Sequence, residues 1–317
     1  MRARVGVVLF STALLTAASV AGTAHAVFPG ENVRMLYGRA AIAKGDTPAV
    51  FSIRTDGTGR RRLTNESQFA AFPGHWSPNG QRFVTIGGTD QGDLYVFDSD
   101  GTNGTPVTNS QALENMPAWS PNGNWIVFVK AVNPPPVVPW HRPARSIAGP
   151  VSSFSLVRIH PDGTGKQTII TLDAPISFPA FRPGTNQIAF ASVDAMDGLY
   201  HTFVVRLDGT HLHKLTPGSP QELFSDWSPD GERIAVNTKS GWFTRNVDGS
   251  GIRLVSLPTK VAAFEAVLFA PNGRLFVQVS DGLDSEIWYV KQNGNEGVQL
   301  TDNGVDDYIV FDFFAIA

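Results

Sequence analysis

After residue 26 the apolar residues fall in short runs separated by turn formers, and no stretch keeps the 3.6-residue apolar spacing of an amphipathic helix. One repeat of the pattern reads MPAWS, NWIVFVK, SFSLVRIH and KQTIITL in chain order. Val, Ile, Phe and Thr dominate these runs, and Gly, Pro, Asn and Asp lie between them, as short antiparallel strands require. The pattern predicts an all-β chain.

Two turn signatures recur along it. The first is WSPNG at 76–80 and 119–123, FRPGT at 181–185, WSPDG at 227–231 and FAPNG at 269–273, with prolines spaced 43, 62, 46 and 42 residues apart. Proline presets φ at the second turn position, Asn or Asp tolerates the next, and Gly takes the positive φ that closes the hairpin. The second is Asp-Gly-Thr or a close variant starting at Asp56, Asp100, Asp162, Asp208, Asp248 and Asn293, a hairpin signal between a third and a fourth strand. Seven or eight residues past each of these comes a Leu, Val or Ile followed by Thr or Ser: Leu63-Thr64, Val107-Thr108, Ile170-Thr171, Leu215-Thr216, Val255-Ser256 and Leu300-Thr301.

A four-stranded unit at this period predicts a six-bladed β-propeller of antiparallel blades. Six third-to-fourth-strand turns stand against five first-to-second-strand turns, and a closed ring accounts for the deficit. NVRMLYG (32–38) then serves as the second strand of a blade whose first strand is DYIVFDFFA (307–315), so the chain ends meet in one sheet. An open array would leave an apolar edge exposed. The aromatics ending the first strands, Trp76, Trp119, Phe181, Trp227 and Phe269, with Phe313 near the equivalent place, are expected to fill the wedges between blades.

The first 26 residues stand apart from this pattern. MRAR is basic, the following run is apolar, and Ala24-His25-Ala26 is a small-x-small cleavage site, so 1–26 reads as a secretory signal peptide and 27–317 as the propeller. The expected location is periplasmic or secreted, with no membrane span left after cleavage. The chain has no cysteine, which excludes disulfides, thiolate metal sites and lipid attachment at a thiol. About 290 residues suffice for a core without such staples. The formal charge is −3, or −5 once Arg2 and Arg4 leave with the signal peptide, and no basic stripe suggests nucleic acid.

Candidate chemistry falls on the loops opposite the short turns, where a rigid scaffold concentrates binding. The longest is a Pro-rich insertion, 131–150, in which polyproline geometry would hold out Trp140, His141 and Arg142 as a lid or contact arm. Nearer the axis, the residues just before the repeated aromatic are His75, Ala118, Ala180, Asp226, Leu268 and, by alignment, Asp312. His75, Asp226 and Asp312 are the polar ones, available to a ligand or to neighbouring backbone. Tyr200 and His201 beside Asp197 are the nearest approach to catalytic chemistry, with His141, Glu114 and Glu222 elsewhere on the loops. TDNGVDD (301–307) lacks calcium-loop spacing, His211 and His213 lack zinc spacing, and the arginines of GRRRL (59–63) either contact an anion or protect an outer edge strand.

PAWSPNGNWIVF, followed by runs of the type DLYVFDSDGTNGTPVTN, resembles the TolB-like (WD-repeat-like) propeller repeat of exported bacterial proteins over about residues 30 to 317. The resemblance implies the fold, and within it protein-binding scaffolds, domains gating serine peptidases and platforms for polysaccharide-degrading enzymes. Repeats begin almost at the cleavage site, with no α/β domain before them, which argues against a Tol–Pal role. No Gly-x-Ser-x-Gly elbow supports a peptidase. The reading that follows is a monomeric, non-catalytic scaffold without a cofactor that binds a protein, peptide or envelope component through its loop face. Its alternatives are a lyase or hydrolase of acidic sugars using a divalent cation such as calcium, and a purely structural secreted module.

Overall fold

The computed structural model describes residues 34–39, 49–64, 74–87, 92–132, 153–215, 221–238, 240–257, 263–280, 285–293, 296–302 and 307–308. The signal segment, most of the Pro-rich insertion with Trp140, His141 and Arg142, and Asp312 with Phe313 lie outside the described residues. Twenty-four strands, and no helix, occur among the described residues. They form six four-stranded antiparallel sheets, the blades of a six-bladed propeller.

Blade I runs from β1 (Arg34–Arg39) through β2 (Ala49–Arg54) to β3 (Arg61–Arg62). Blade II holds β4 (His75–Trp76), β5 (Arg82–Gly87), β6 (Asp93–Asp98) and β7 (Thr105–Pro106). Blade III holds β8 (Leu113–Trp119), β9 (Ile126–Val132), β10 (Ser153–Ile159) and β11 (Gln167–Leu172). Blade IV holds β12 (Ile176–Phe181), β13 (Gln187–Val193), β14 (Tyr200–Arg206) and β15 (His213–Lys214). Blade V holds β16 (Leu223–Trp227), β17 (Arg233–Thr238), β18 (Gly241–Asn246) and β19 (Arg253–Leu254). Blade VI holds β20 (Ala263–Phe269), β21 (Leu275–Ser280), β22 (Ser285–Val290) and β23 (Gly297–Gln299). The inner strand of blade I is β24 (Asp307–Tyr308), from the far end of the chain, with Gly38 opposite Tyr308 and Arg39 opposite Asp307. The ring closes head to tail.

The repeated letters have local causes. In the first turn Ser77 accepts the Arg82 N–H on its Oγ at 2.9 Å, while Asn79 Oδ1 accepts the Gln81 N–H at 3.1 Å and the Ser77 hydroxyl at 2.8 Å. In the second turn the Asp accepts both the N–H and the hydroxyl of the residue two further on, as at Asp208 with Thr210 (2.9 and 2.7 Å). The Thr or Ser hydroxyl, and then its N–H, hold Asp56, Asp100, Asp162, Asp208 and Asp248 below the usual carboxylate range. Glycine follows Asp because the turn needs a positive φ there, and in two of the turns it also abuts the preceding blade. A Cβ on Gly101 (φ +88°) would lie 2.0 Å from the Leu63 carbonyl oxygen, and one on Gly209 (φ +83°) 2.4 Å from that of Ile169.

The Thr of the later pair caps the third strand. Thr64, Thr108 and Thr301 each accept, at 2.9 Å, the buried N–H of Val50, Leu94 and Ile287, while Leu63, Val107 and Leu300 are buried. Blade III departs from this expectation. Its fourth strand continues to Leu172 through a bulge opposite Leu156 and Val157, so Thr171 meets the Ser155 hydroxyl at 2.8 Å instead.

The core is distributed. Six apolar clusters occupy the six wedges between neighbouring blades, one of them joining Met35, Tyr37 and Ile53 of blade I to Leu268, Phe276 and Ile287 of blade VI. Trp76, Trp119, Phe181, Trp227 and Phe269 are all buried in these wedges. Two of the indoles are also covered by an arginine of the preceding blade, Arg82 at 5.3 Å from the Trp119 ring and Arg182 at 5.1 Å from that of Trp227.

Candidate functional site

Because strands alternate in direction, the short repeated turns share one face of the disc and the second-to-third-strand loops share the other. On that loop face the β13–β14 connection of blade IV, residues 194–199, is described along its whole length. Asp194 donates its N–H to the Leu199 carbonyl at 2.9 Å, and Gly198 donates to the Asp194 carbonyl at 2.8 Å. The Asp194 side chain accepts the Met196 N–H at 2.9 Å, and Asp197 accepts that of Leu199 at 2.9 Å.

Two basic side chains brace these carboxylates from below. Lys214, on β15, forms an ion pair with Asp194 and lies 3.8 Å from Asp197. His201 Nε2 lies 2.8 Å from Asp197 Oδ2, the same oxygen that Lys214 approaches, with its ring buried. The Lys214 hydrogen bond, then the Met196 N–H, hold the Asp194 carboxyl low, and the Leu199 N–H, then His201, do the same for Asp197. At neutral pH both hairpin carboxylates are therefore ionised, packed against the Lys214 and His201 side chains. At its tip stands Met196, 91% exposed.

The register explains why the sequence puts them together. Phe203 pairs with Lys214, and His201 is two residues from Phe203 on the same face of β14, so the lysine of the outer strand points back toward the hairpin. Tyr200, half-buried beside them, accepts the Glu222 N–H at 2.9 Å and links the hairpin to the start of blade V. Glu222 is held by Arg245 at 2.7 Å, and Glu114, at the equivalent repeat position in blade III, by Lys166 at 2.7 Å. These two buried glutamates thus serve separate blades, each with its own cation, and do not converge on His201.

The axial candidates are placed differently. Asp226 is buried, with one oxygen 2.8 Å from its neighbour's N–H, at Trp227, and the other 2.8 Å from the Phe269 N–H of blade VI. Beside it Ser225 donates to the Val267 carbonyl at 2.7 Å. This pair fastens β16 to β20 across a wedge. His75 is half-buried on β4, opposite Val84.

Asp194, Asp197 and His201 present one ligand atom each within 4.8 Å of one another, a spacing that suits a cation. The mixed imidazole and carboxylate set fits a transition metal better than calcium, and Lys214 already pairs with its Asp194 carboxylate. Met196 and Lys214 carried no signal of their own in the sequence. The Asp194-x-x-Asp197 spacing is the sequence feature that could have marked the hairpin.

The architecture defines a class: a head-to-tail closed, six-bladed propeller with an ordered hairpin on its loop face. Its fold is that of TolB-like propellers. The chain superposes on TolB of Acinetobacter baumannii with a TM-score of 0.68 over 89% of its length and 67% of that chain, at 15% identity. An oligogalacturonate lyase in complex with manganese matches with a TM-score of 0.60 over 84% of the chain and 73% of the lyase, also at 15% identity.

In sequence the chain is 24% identical over 228 residues to an uncharacterized protein of Agrobacterium fabrum, covering 69% of this chain and 70% of that protein. It is 39% identical over 74 residues to the Tol-Pal system protein TolB of Geobacter sulfurreducens, 23% of this chain and 16% of that protein. A TolB homolog of Chlorobaculum tepidum is 27% identical over 140 residues, 44% of this chain and 27% of the relative. No family model matches the chain. No helix among the described residues is long and apolar enough to cross a membrane.

Proposed function

We propose that the protein is an exported scaffold that binds a protein or peptide of the envelope or secreted space through its loop face, without catalysis. One observation carries the reading: Met196 is 91% exposed at the tip of a hairpin held by Asp194, Asp197, His201 and Lys214. A lone exposed apolar residue is ordinary. A buried imidazole and an ion pair devoted to holding one in place are not, because a loop ordered beforehand loses less entropy on binding. Methionine suits the task, since its flexible thioether adapts to a partner's surface. The likeness to TolB of a Tol-Pal system supports a protein partner over a small ligand.

Crosslinked capture from envelope and secreted fractions tests the reading. Met196→Asp is expected to melt at the same temperature as the parent and to weaken capture of the parent's reproducible companion about tenfold or more. Equal capture by both proteins would remove Met196 from the interface. The lyase-like alternative makes the opposite demand on the same residues. A manganese-dependent rise in melting temperature that Lys214→Met enlarges and His201→Gln abolishes would favour a metal-dependent enzyme instead.

A further inference from the structure

Blade I carries a cluster of arginines on the opposite, turn-face end of the molecule. The register sets Arg34 directly opposite Arg54, and Arg61 opposite Ser52. Arg54 and Ser52 are two residues apart on β2, so all three arginines share one face of the sheet. Arg34 donates Nε and Nη2 to the Ser52 hydroxyl at 3.3 and 3.2 Å, and Nη2 also to the Gly59 carbonyl. Arg54 reaches the same spot. A Cβ on Gly59 would stand 2.9 Å from Arg54 Nη1 and 3.3 Å from Arg34 Nη1. None of the ion pairs found among the described residues includes Arg34, Arg54 or Arg61. The neighbouring acids, Asp56 and Asp100, accept from the Thr residues of their own turns and act on these arginines only through space.

Blade V provides an internal control, because it builds the same clip. Arg233 stands where Arg34 does, donating Nη2 to the Thr244 hydroxyl at 2.9 Å and to the Gly251 carbonyl at 2.8 Å. Arg253 lies opposite Thr244 as Arg61 lies opposite Ser52. The difference is the residue facing the clip. Opposite Arg233 is Asn246, whose Oδ1 accepts from Nη1 at 2.6 Å. Opposite Arg34 the acceptor is gone and Arg54 stands in its place. Like charges directly opposite one another destabilise a sheet, so blade I gains nothing for its own folding from this exchange. Burial, then Arg54 and Arg61, pull the Arg34 guanidinium below its ordinary value against a pull from Asp56, and burial and Arg253 lower Arg233 in blade V in the same way.

We propose that Arg34, Arg54 and Arg61 form an oxyanion site that takes a phosphate- or sulfate-type group, either as the free ion or as the headgroup of an anionic lipid. Guanidinium forks match such oxygens two at a time, and a dianion between them replaces the acceptor that Asn246 supplies in blade V. The site is independent of the loop-face interface and lies at the other face of the disc.

Arg54→Asn, which gives blade I the side chain found in blade V, is the test. At low and matched ionic strength, with chloride as the control, millimolar phosphate is expected to raise the melting temperature of the parent by about 2–5 °C and to leave Arg54→Asn unmoved. In phosphate-free buffer Arg54→Asn is expected to melt above the parent, because its like-charge pair is gone. Sedimentation with phosphatidylglycerol vesicles, against phosphatidylcholine alone, separates the sources: binding by the parent and not the variant assigns a headgroup, and a phosphate response without vesicle binding assigns the free ion. A parent indifferent to phosphate and to both vesicles, or a variant that responds as the parent does, overturns the proposal.

Discussion

Removing residues 307–317 is expected to lower the melting temperature by at least about 10 °C and to make the protein self-associate. The deletion takes away β24, the inner strand of blade I, which pairs with Gly38 and Arg39 and also lies against β22 of blade VI. Without it β1 becomes an open inner edge. Gly38 is buried, and each backbone group left there without a partner costs about 1–3 kcal/mol. The wedge between blades I and VI would keep Met35, Tyr37 and Ile53 against Leu268 and Phe276, but one of its walls would end in unpaired strand. Such an edge recruits other chains. Thermal unfolding and size-exclusion chromatography of the shortened protein read both effects. A monomer melting as the parent does would mean that the ring needs no closure.

Trp227→Ala has the next largest expected effect, a loss of about 3–5 kcal/mol. The indole is fully buried between blades IV and V, in a cluster whose blade IV side includes the small residues Ala180, Ala189 and Ala191. Phe224 meets it edge-on at 5.8 Å, and Arg182 lies over its face at 5.1 Å. Alanines cannot grow into the space, and the Arg182 guanidinium is tied to the Gly231 carbonyl at 2.9 Å, so the cavity would stay open. Trp227→Phe keeps the ring contact and should lose about a third as much. Denaturant unfolding of both variants checks the order. A loss below about 1 kcal/mol for Trp227→Ala would show that the wedge collapses around the gap.

Much of the architecture was legible because its rules are local. Ser-Pro-Asn-Gly and Asp-Gly-Thr specify their own turns, and the Leu-Thr pair caps a strand at a fixed distance along the chain. Even closure could be read, from a missing turn. Reasoning by offset failed at Ile170-Thr171, because a bulge in blade III carries β11 past the point where the other fourth strands stop.

The site was less legible because its contacts cross strands and blades. Asp226 read equally as a ligand or as a partner for backbone, but its second oxygen meets Phe269, more than forty residues away, and only the packing of β16 on β20 brings them together. His201 and Asp197 could be paired from sequence, being four residues apart. Lys214 could not, since its approach depends on the β14–β15 register. Likewise GRRRL showed the outer-strand arginines of blade I, but only the facing of β1 on β2 adds Arg34 and Arg54 to them.

The absence of cysteine from the chain permits a direct test of head-to-tail closure. Residues 39 and 307 lie opposite each other on β1 and β24, within the Cα separation of about 4.4–6.8 Å that a disulfide spans. In Arg39→Cys/Asp307→Cys, mild oxidation should yield an internally linked monomer that runs faster on a non-reducing gel, returns to normal mobility on reduction, and melts above its reduced form. Linked dimers in place of monomers, or thiols that stay free in the folded protein, would contradict a ring closed by its own tail.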